Sequence, residues 1–235
     1  MTKLGKLYLI PSTLGDNEPL EVLPISIKQT IEKIDHYIVE NEKTARRFIK
    51  KISPRKSQAE LSIEILNKYT EDELLPQFLE PCREGKDIGV LSEAGCPGIA
   101  DPGASIVRLA HAANIDVVPL VGPSSIVLAL MGSGLNGQHF TFNGYLPIDS
   151  KERKKAIKKF ERTAKADQRA QLFIETPYRN QKLLEELLKT LGDTTLLCIA
   201  TDITLPTEYI KTKTVHEWQH ETIDLHKRPT IFIFQ

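Results

Sequence analysis

Short apolar runs alternate with stretches of helical apolar spacing through the first half of this chain, and that alternation limits the fold more than any other feature. Lys6–Ile10, His36–Glu40, Asp87–Ser92 and Asp116–Val121 read as strands. Ile25–Ile34, Ala45–Ile52 and Ala104–Ala113 read as helices, as do Gln58–Tyr69 and Glu71–Arg83, the last despite Pro76 and Pro81. Strands separated by helices at this spacing indicate βαβ crossovers and a largely parallel sheet. After Gly122-Pro123 the pattern changes. A helix at Ser124–Met131 and a basic helix at 151–165 accompany strands at 140–143, Gln171–Glu175, Leu196–Ala200 and Thr230–Phe234, with Tyr209–Val215 alternating. Strands this close together predict a mixed sheet. The chain therefore reads as two α/β domains, 1–121 and 122–235, without an internal repeat or a low-complexity linker.

Of the 235 residues, 40% are hydrophobic and 26% charged, an ordinary globular balance. Cys82, Cys96 and Cys198 form no C-x-x-C pair, which argues for a reduced compartment and against a disulfide framework or structural zinc. The six histidines show no H-E-x-x-H or similar spacing, so no metal is expected. The longest wholly apolar run, Ile126 to Met131, is too short to span a bilayer. The N-terminus lacks the apolar core of a signal peptide. These features predict a cytoplasmic protein without a membrane partner.

A formal net charge of zero hides segregation. Residues 43–56 carry seven basic side chains and no acid, and 151–169 carry nine against three. These two stretches total +13, so the remainder sums to −13. Such segregation suits a polyanionic partner, although solvated helix faces would give the same pattern.

The stretch Leu91-Ser-Glu-Ala-Gly-Cys-Pro-Gly-Ile-Ala-Asp-Pro-Gly103 leaves the third predicted strand, breaks repeatedly, and then enters a helix. It matches neither G-x-x-x-x-G-K-[ST] nor G-x-G-x-x-G. It nevertheless occupies the carboxyl end of a strand, where open α/β sheets place their ligands. Its glycines permit close backbone approach, and Pro97 and Pro102 stiffen it.

This loop resembles the serine-aspartate-alanine-glycine-threonine-proline-glycine loop of tetrapyrrole-methylase-fold methyltransferases. The branch it looks most like is the bacterial small-subunit ribosomal-RNA 2′-O-ribose methyltransferases. Similar segments follow in the family's order: Gly5–Asn17, Val118–Ser125, Gly132-Ser-Gly134 with Phe140–Pro147, and Phe173–Arg179. The resemblance implies a two-domain enzyme, usually a homodimer, that binds S-adenosylmethionine in the cleft between its domains. By position it assigns Ile10, Pro11, Glu93, Cys96, Gly98, Ser124 and Ser125 to the methyl donor. It adds Glu175, Thr176, Pro177, Ala200, Thr201, Pro229 and Thr230 from the second domain. Ser124 and Ser125 lie near a predicted helix N-terminus, which can bind a carboxylate or simply be capped by a serine.

The chain departs from the family pattern at several positions. Glu93 replaces an aspartate, and Val39-Glu40-Asn41-Glu42-Lys43 replaces alanine-glutamate-aspartate-threonine-arginine. A histidine-rich substrate stretch expected around 57–70 is missing, and Thr-Pro-Tyr-Arg stands for Ser-Pro-His-Arg. Most of these changes fall on the substrate side.

The implied reaction is methyl transfer to small-subunit ribosomal RNA at a ribose hydroxyl. Glu40 is the candidate base, with a salt-bridge or helix-start carboxylate as its alternative. Arg46, Arg47, Lys50 and Lys51, with Arg153, Lys154, Lys155 and Lys158, are the candidate phosphate contacts. Two other readings stay open: the same fold acting on a small anionic tetrapyrrole, and an RNA- or ribosome-binding protein with a decayed site.

Overall fold

The computed structural model describes residues 3–235. They divide into two compact units, the first ending at Ser124 and the second comprising Ser125–Gln235.

In the first unit, β1 (Leu7–Ile10) leads through α1 (Pro19–Val22) and α2 (Ile25–Lys33) to β2 (His36–Val39) and α3 (Glu42–Ile52). Next come β3 (Ser62–Ile65), a 3-10 helix at Asp72–Leu79, α4 (Glu80–Arg83), β4 (Ile88–Leu91), α5 (Ala104–Ala112) and β5 (Val117–Pro119). The sheet order is β3-β2-β4-β1-β5, and every pairing is parallel. Helices pack against the sheet, and its central strands β1, β2 and β4 are largely buried and read as apolar runs, while the edge strands β3 and β5 are partly exposed. Ile27, Ile31, Tyr37 and Ile49 fill one core cluster, and Leu79, Ile88, Ile106 and Ala110 fill another. Gly89 lies under this packing, because a Cβ there would come within 2.7 Å of Ile10 Cδ1.

The helix expected over Gln58–Tyr69 is corrected to a strand. Ser62–Ile65 pairs with His36–Val39 in parallel register. Over so short a window, the apolar residues at 61, 63, 65 and 66 fit either period. The β-branched alternation and an available edge beside β2 select the strand. Pro76 lies inside the 3-10 helix, where the missing N–H and ring bulk disfavour regular α geometry.

In the second unit, α6 (Ser125–Ser133), β6 (Phe140–Tyr145), α7 (Ser150–Asp167) and β7 (Ala170–Ile174) precede α8 (Asn180–Thr190). Then follow β8 (Leu196–Thr201), β9 (Tyr209–Thr214), α9 (Val215–Trp218) and β10 (Thr230–Phe234). The sheet order is β6-β7-β10-β8-β9; β6 and β7 are parallel and the other pairs antiparallel, which makes the mixed sheet. Its core gathers Phe173, Phe232, Phe234, Leu187 and Trp218. The indole N–H of Trp218 donates to Leu197 O at 2.8 Å, so its one polar atom is satisfied within the core. Leu183, Leu184 and Leu187 form the apolar stripe of α8, a helix missing from the expected pattern.

The basic helix α7 is capped by Asp149, whose carboxylate accepts the N–H groups of Lys151 and Glu152. Arg153, Ile157 and Ala164 recur at helical spacing and turn inward. Arg153 makes a two-pronged ion pair with Glu186 of α8, with Nη2–Oε1 at 2.6 Å, and also donates to Pro147 O and Ile148 O. Its guanidinium therefore joins two helices instead of facing solvent, and Arg153 drops out of the expected phosphate contacts.

Arg153→Met should lower stability by about 3 kcal/mol, because removing one partner of a buried pair strands the other charge. Lys158→Met, on the exposed face of the same helix, should stay within about 0.5 kcal/mol of wild type. Urea unfolding midpoints check both. Equal effects at the two positions would show that the Arg153 pair does not hold α7 to α8.

Candidate active site

β1 and β4 are neighbours in the first sheet, yet their connections diverge. The chain leaves β1 for β2, beyond β4, and leaves β4 for β5, beyond β1. Loops parting in this way open a crevice at the carboxyl edge of a parallel sheet. The two loops are tied where they part, with Ser12 N–H donating to Gly95 O at 3.0 Å.

Asp101 shapes the loop after β4. One of its carboxylate oxygens accepts the N–H of Gly98 at 2.6 Å and of Gly103 at 2.8 Å. Gly98 has φ +79°, and a Cβ there would meet nothing closer than 3.9 Å. Backbone conformation, not crowding, therefore demands glycine here. Gly122 is different, since its Cβ would lie 2.2 Å from Pro11 Cβ. Close backbone approach is the constraint there. Cys96 links the loop to that segment through weak S–H contacts to Pro123 O at 3.4 Å and Gly122 O at 3.8 Å. Burial, followed by the nearby Asp101 charge, pushes its thiol up, which keeps it protonated and unsuited to nucleophilic attack.

A cleft of about 380 Å³ is bounded by Ser12, Asp16, Thr44, Arg47, Phe48 and Glu93, among others. The Ser12 hydroxyl is buried and has no hydrogen-bond partner among the described residues. An unmade bond on a buried hydroxyl is unfavourable, so a ligand atom that accepts from it would be stabilising. Glu93 is exposed, and its carboxylate accepts the Thr44 hydroxyl at 2.5 Å. The extra methylene relative to the family's aspartate thus lets the acid reach α3. A second hollow, of about 460 Å³, lies between Glu40, Asn41 and Glu93 on one side and Asn67, Lys68 and Tyr69 on the other.

Glu40 directly follows β2 and is half-buried. Burial chiefly, then the charge of Asp101, pushes its carboxyl above the usual range, against an opposing hydrogen bond from the Glu93 N–H. Both structural alternatives for Glu40 fail. Asn41 caps α3 by accepting the N–H groups of Lys43 and Thr44. None of the ion pairs among the described residues uses Glu40.

The cations of α3 are not equivalent. Arg46 is engaged by Glu42 at 2.7 Å and by Gln58 O, bracing the segment before β3. Lys50 donates to Pro54 O, and Lys51 is held by Asp16 at 3.0 Å, Asn17 O at 2.9 Å and Glu18 at 3.4 Å. Arg47 is exposed and has no hydrogen bond or ion pair among the described residues. On α7, Lys154 and Lys158 face solvent, and Lys155 pairs with Glu152 at 2.9 Å.

The other expected donor contacts are placed as follows. Ile10 is fully buried in the core at the end of β1, and Pro11 is buried beside Gly122. Ser124 ends the first unit, and Ser125 opens α6. In the second unit, Glu175 is buried, with one oxygen accepting from the Thr176 N–H and twice from Arg179, at 3.0 and 2.6 Å. Arg179 had been given no role; its spacing of four from Glu175, across Pro177, is the signal that could have found it. Ala200 is buried in β8. Thr201 donates to Pro229 O, and Thr230 lies opposite it with the two hydroxyl oxygens 3.0 Å apart.

These residues fit S-adenosylmethionine. The molecule carries a cationic ammonium and sulfonium, an anionic carboxylate and a polar ribose. The first unit offers an acceptor carboxylate in Glu93 and the partnerless Ser12 hydroxyl, beside backbone left open by Gly98.

Comparison with known proteins identifies the family. Residues 7–219 match the family of tetrapyrrole (corrin/porphyrin) methylases. The chain is 28% identical over 234 residues to the ribosomal RNA small subunit methyltransferase I of Escherichia coli O157:H7, covering 98% of this chain and 78% of that protein. It is 29% identical over 239 residues to the protein of the same name from Haemophilus influenzae, covering 100% and 80%. Among solved structures, the methyltransferase CobJ superposes with a TM-score of 0.63 at 16% identity, covering 98% of this chain and 93% of CobJ. At that identity the likeness speaks for the fold alone. The matched span takes in most of both units, including the crevice loops and the buried Glu175, and the chain therefore belongs to the tetrapyrrole (corrin/porphyrin) methylase family and is an S-adenosylmethionine-dependent methyltransferase.

Proposed function

We propose that the enzyme methylates a ribose 2′-hydroxyl of small-subunit ribosomal RNA. The observation that carries this reading is Glu40: a half-buried carboxylate without a cationic partner, raised above its usual range, at the crevice edge. A ribose hydroxyl loses a proton as its oxygen is alkylated, and a carboxylate of raised basicity is suited to receive it. The relatives named as ribosomal RNA methyltransferases support the RNA acceptor. So does Arg47 beside the crevice, which has the nearby charge of Asp16 but no hydrogen bond or ion pair among the described residues, whereas Arg46, Lys50 and Lys51 are engaged within the protein. On α7, Lys154 and Lys158 are exposed and remain candidate phosphate contacts, whereas Lys155 pairs with Glu152.

Bound S-adenosylmethionine supplies a methyl group already activated on a sulfonium, so transfer needs alignment and a proton acceptor rather than covalent catalysis. The Glu93 N–H orients Glu40, and Asp101 fixes the loop that carries Glu93. Holding the reacting atoms in line can contribute about 7–11 kcal/mol to the barrier reduction. Donor-binding roles for Ile10, Pro11, Glu93, Cys96, Gly98, Ser124, Ser125, Glu175, Thr176, Pro177, Ala200, Thr201, Pro229 and Thr230 rest on the family pattern. A homodimer is part of the same reading. Met131, 73% exposed on α6, offers it an apolar contact. A ribosomal RNA substrate supports a cytoplasmic location.

Two outcomes follow. Because the folded pKa of Glu40 lies above its unfolded value, the native state holds more protons in the interval between them, and stability falls as pH rises through it. Glu40→Gln removes that penalty. At pH 7.5 the variant should have an equal or higher urea midpoint, while turnover falls about 10²–10⁴-fold at unchanged donor affinity. A less stable variant with normal turnover would make Glu40 structural. In Gly98→Val, a β-branched residue is forced to positive φ, which should weaken S-adenosylmethionine binding by calorimetry while the thermal midpoint shifts by only a few degrees, about 1–2 kcal/mol of strain. Unchanged affinity would remove this loop from the donor site.

A further inference from the structure

In place of the expected histidine-rich stretch, the segment after β3 forms a self-bonded turn. Asn67 Oδ1 accepts the Tyr69 N–H at 2.9 Å, and Thr70 Oγ1 accepts the Asn67 N–H at 2.9 Å and donates to Ile65 O at 3.0 Å. The turn holds the Tyr69 side chain 79% exposed, the highest value among the exposed large apolar side chains of the described residues. Lys68 Nζ lies 4.8 Å from the ring centroid. Packing does not account for an aromatic ring held in water by an ordered turn.

Its position does. Tyr69 and Lys68 border the hollow whose opposite side is Glu40 and Glu93. Glu93 also borders the cleft of about 380 Å³, with Phe48, Arg47 and the buried Ser12 hydroxyl. Glu93 therefore stands between two hollows, each lined by an aromatic ring, a cation and a polar side chain, and Glu40 borders the one with Tyr69 and Lys68. Repeated ring-and-cation sites suit an unpaired nucleic-acid strand, whose bases stack on rings while cations meet phosphates. We propose that an unpaired RNA strand crosses the carboxyl edge of the first sheet. The acceptor ribose lies at Glu40, a neighbouring base stacks on Tyr69 beside Lys68, and Arg47 takes a phosphate on the other side. This rests on the RNA reading above.

The test is methyl transfer to purified small ribosomal subunits across a range of salt concentrations. Tyr69→Ala should raise KM for subunits about ten-fold, the scale of one base–aromatic stack, with kcat near wild type. Its slope of log(kcat/KM) against log salt should match wild type, because no phosphate contact is lost. Tyr69→Phe should behave as wild type. Arg47→Ala should lower that slope by about 0.7, one single-strand phosphate contact. Donor affinity by calorimetry should be unchanged in both Tyr69 variants. A wild-type KM in Tyr69→Ala overturns the stacking platform, as does a Tyr69→Phe as defective as Tyr69→Ala. A wild-type enzyme that binds S-adenosylmethionine yet transfers no label to subunits or to the RNA extracted from them overturns the RNA reading itself.

Discussion

β1 and β4 lie side by side while their connections leave in opposite directions, and every functional feature of the first unit depends on that arrangement. It opens the carboxyl edge of the sheet and puts the Ser12 loop and the Glu93 loop at one crevice. The Ser12–Gly95 hydrogen bond then sets how far the loops part, and Asp101 sets the path of the second by gathering two glycine N–H groups on one oxygen. Those two bonds allow a glycine-rich loop to be ordered without a packed core of its own.

The same edge shows why formal charge was a weak guide. The two basic stretches total +13 by sequence, but much of that charge is used internally. Arg153 joins two helices, Arg46 braces the segment before β3, and Lys51 fastens the loop after β1 to α3. The RNA reading therefore rests on a few cations placed beside two carboxylates, and less on a broad positive field. Glu40 follows the opposite rule. It has no cationic partner, and burial makes its carboxyl more basic. A charge left unpaired in a half-buried position destabilises the fold, as expected of a group kept for chemistry.

Much of this was legible in the sequence because the signals were local. The apolar runs and one alternating stretch marked nine of the ten strands among the described residues, and the glycine and proline spacing after β4 marked the crevice loop. Residues 58–69 were misread because four apolar positions fit two periods, and only pairing with β2 decides between them. That error hid Tyr69, whose significance lies in its exposure and not in its neighbours along the chain. The inward turn of Arg153 was hidden for a related reason. Its partner Glu186 lies thirty-three residues away, on a helix absent from the expected pattern. Glu40 was visible as a strand-end acid, but its lack of a cation could be learned only from the folded chain.

Where the methyl group lands decides the central claim most directly. Small ribosomal subunits would be incubated with the enzyme and methyl-labelled S-adenosylmethionine, and the extracted RNA digested with alkali. A methylated 2′-oxygen cannot attack the adjacent phosphodiester, so ribose methylation leaves the label in an alkali-resistant dinucleotide. That is the expected product. Label released in mononucleotides would place the methyl on a base and contradict the role given to Glu40, and unlabelled RNA would contradict the account as a whole.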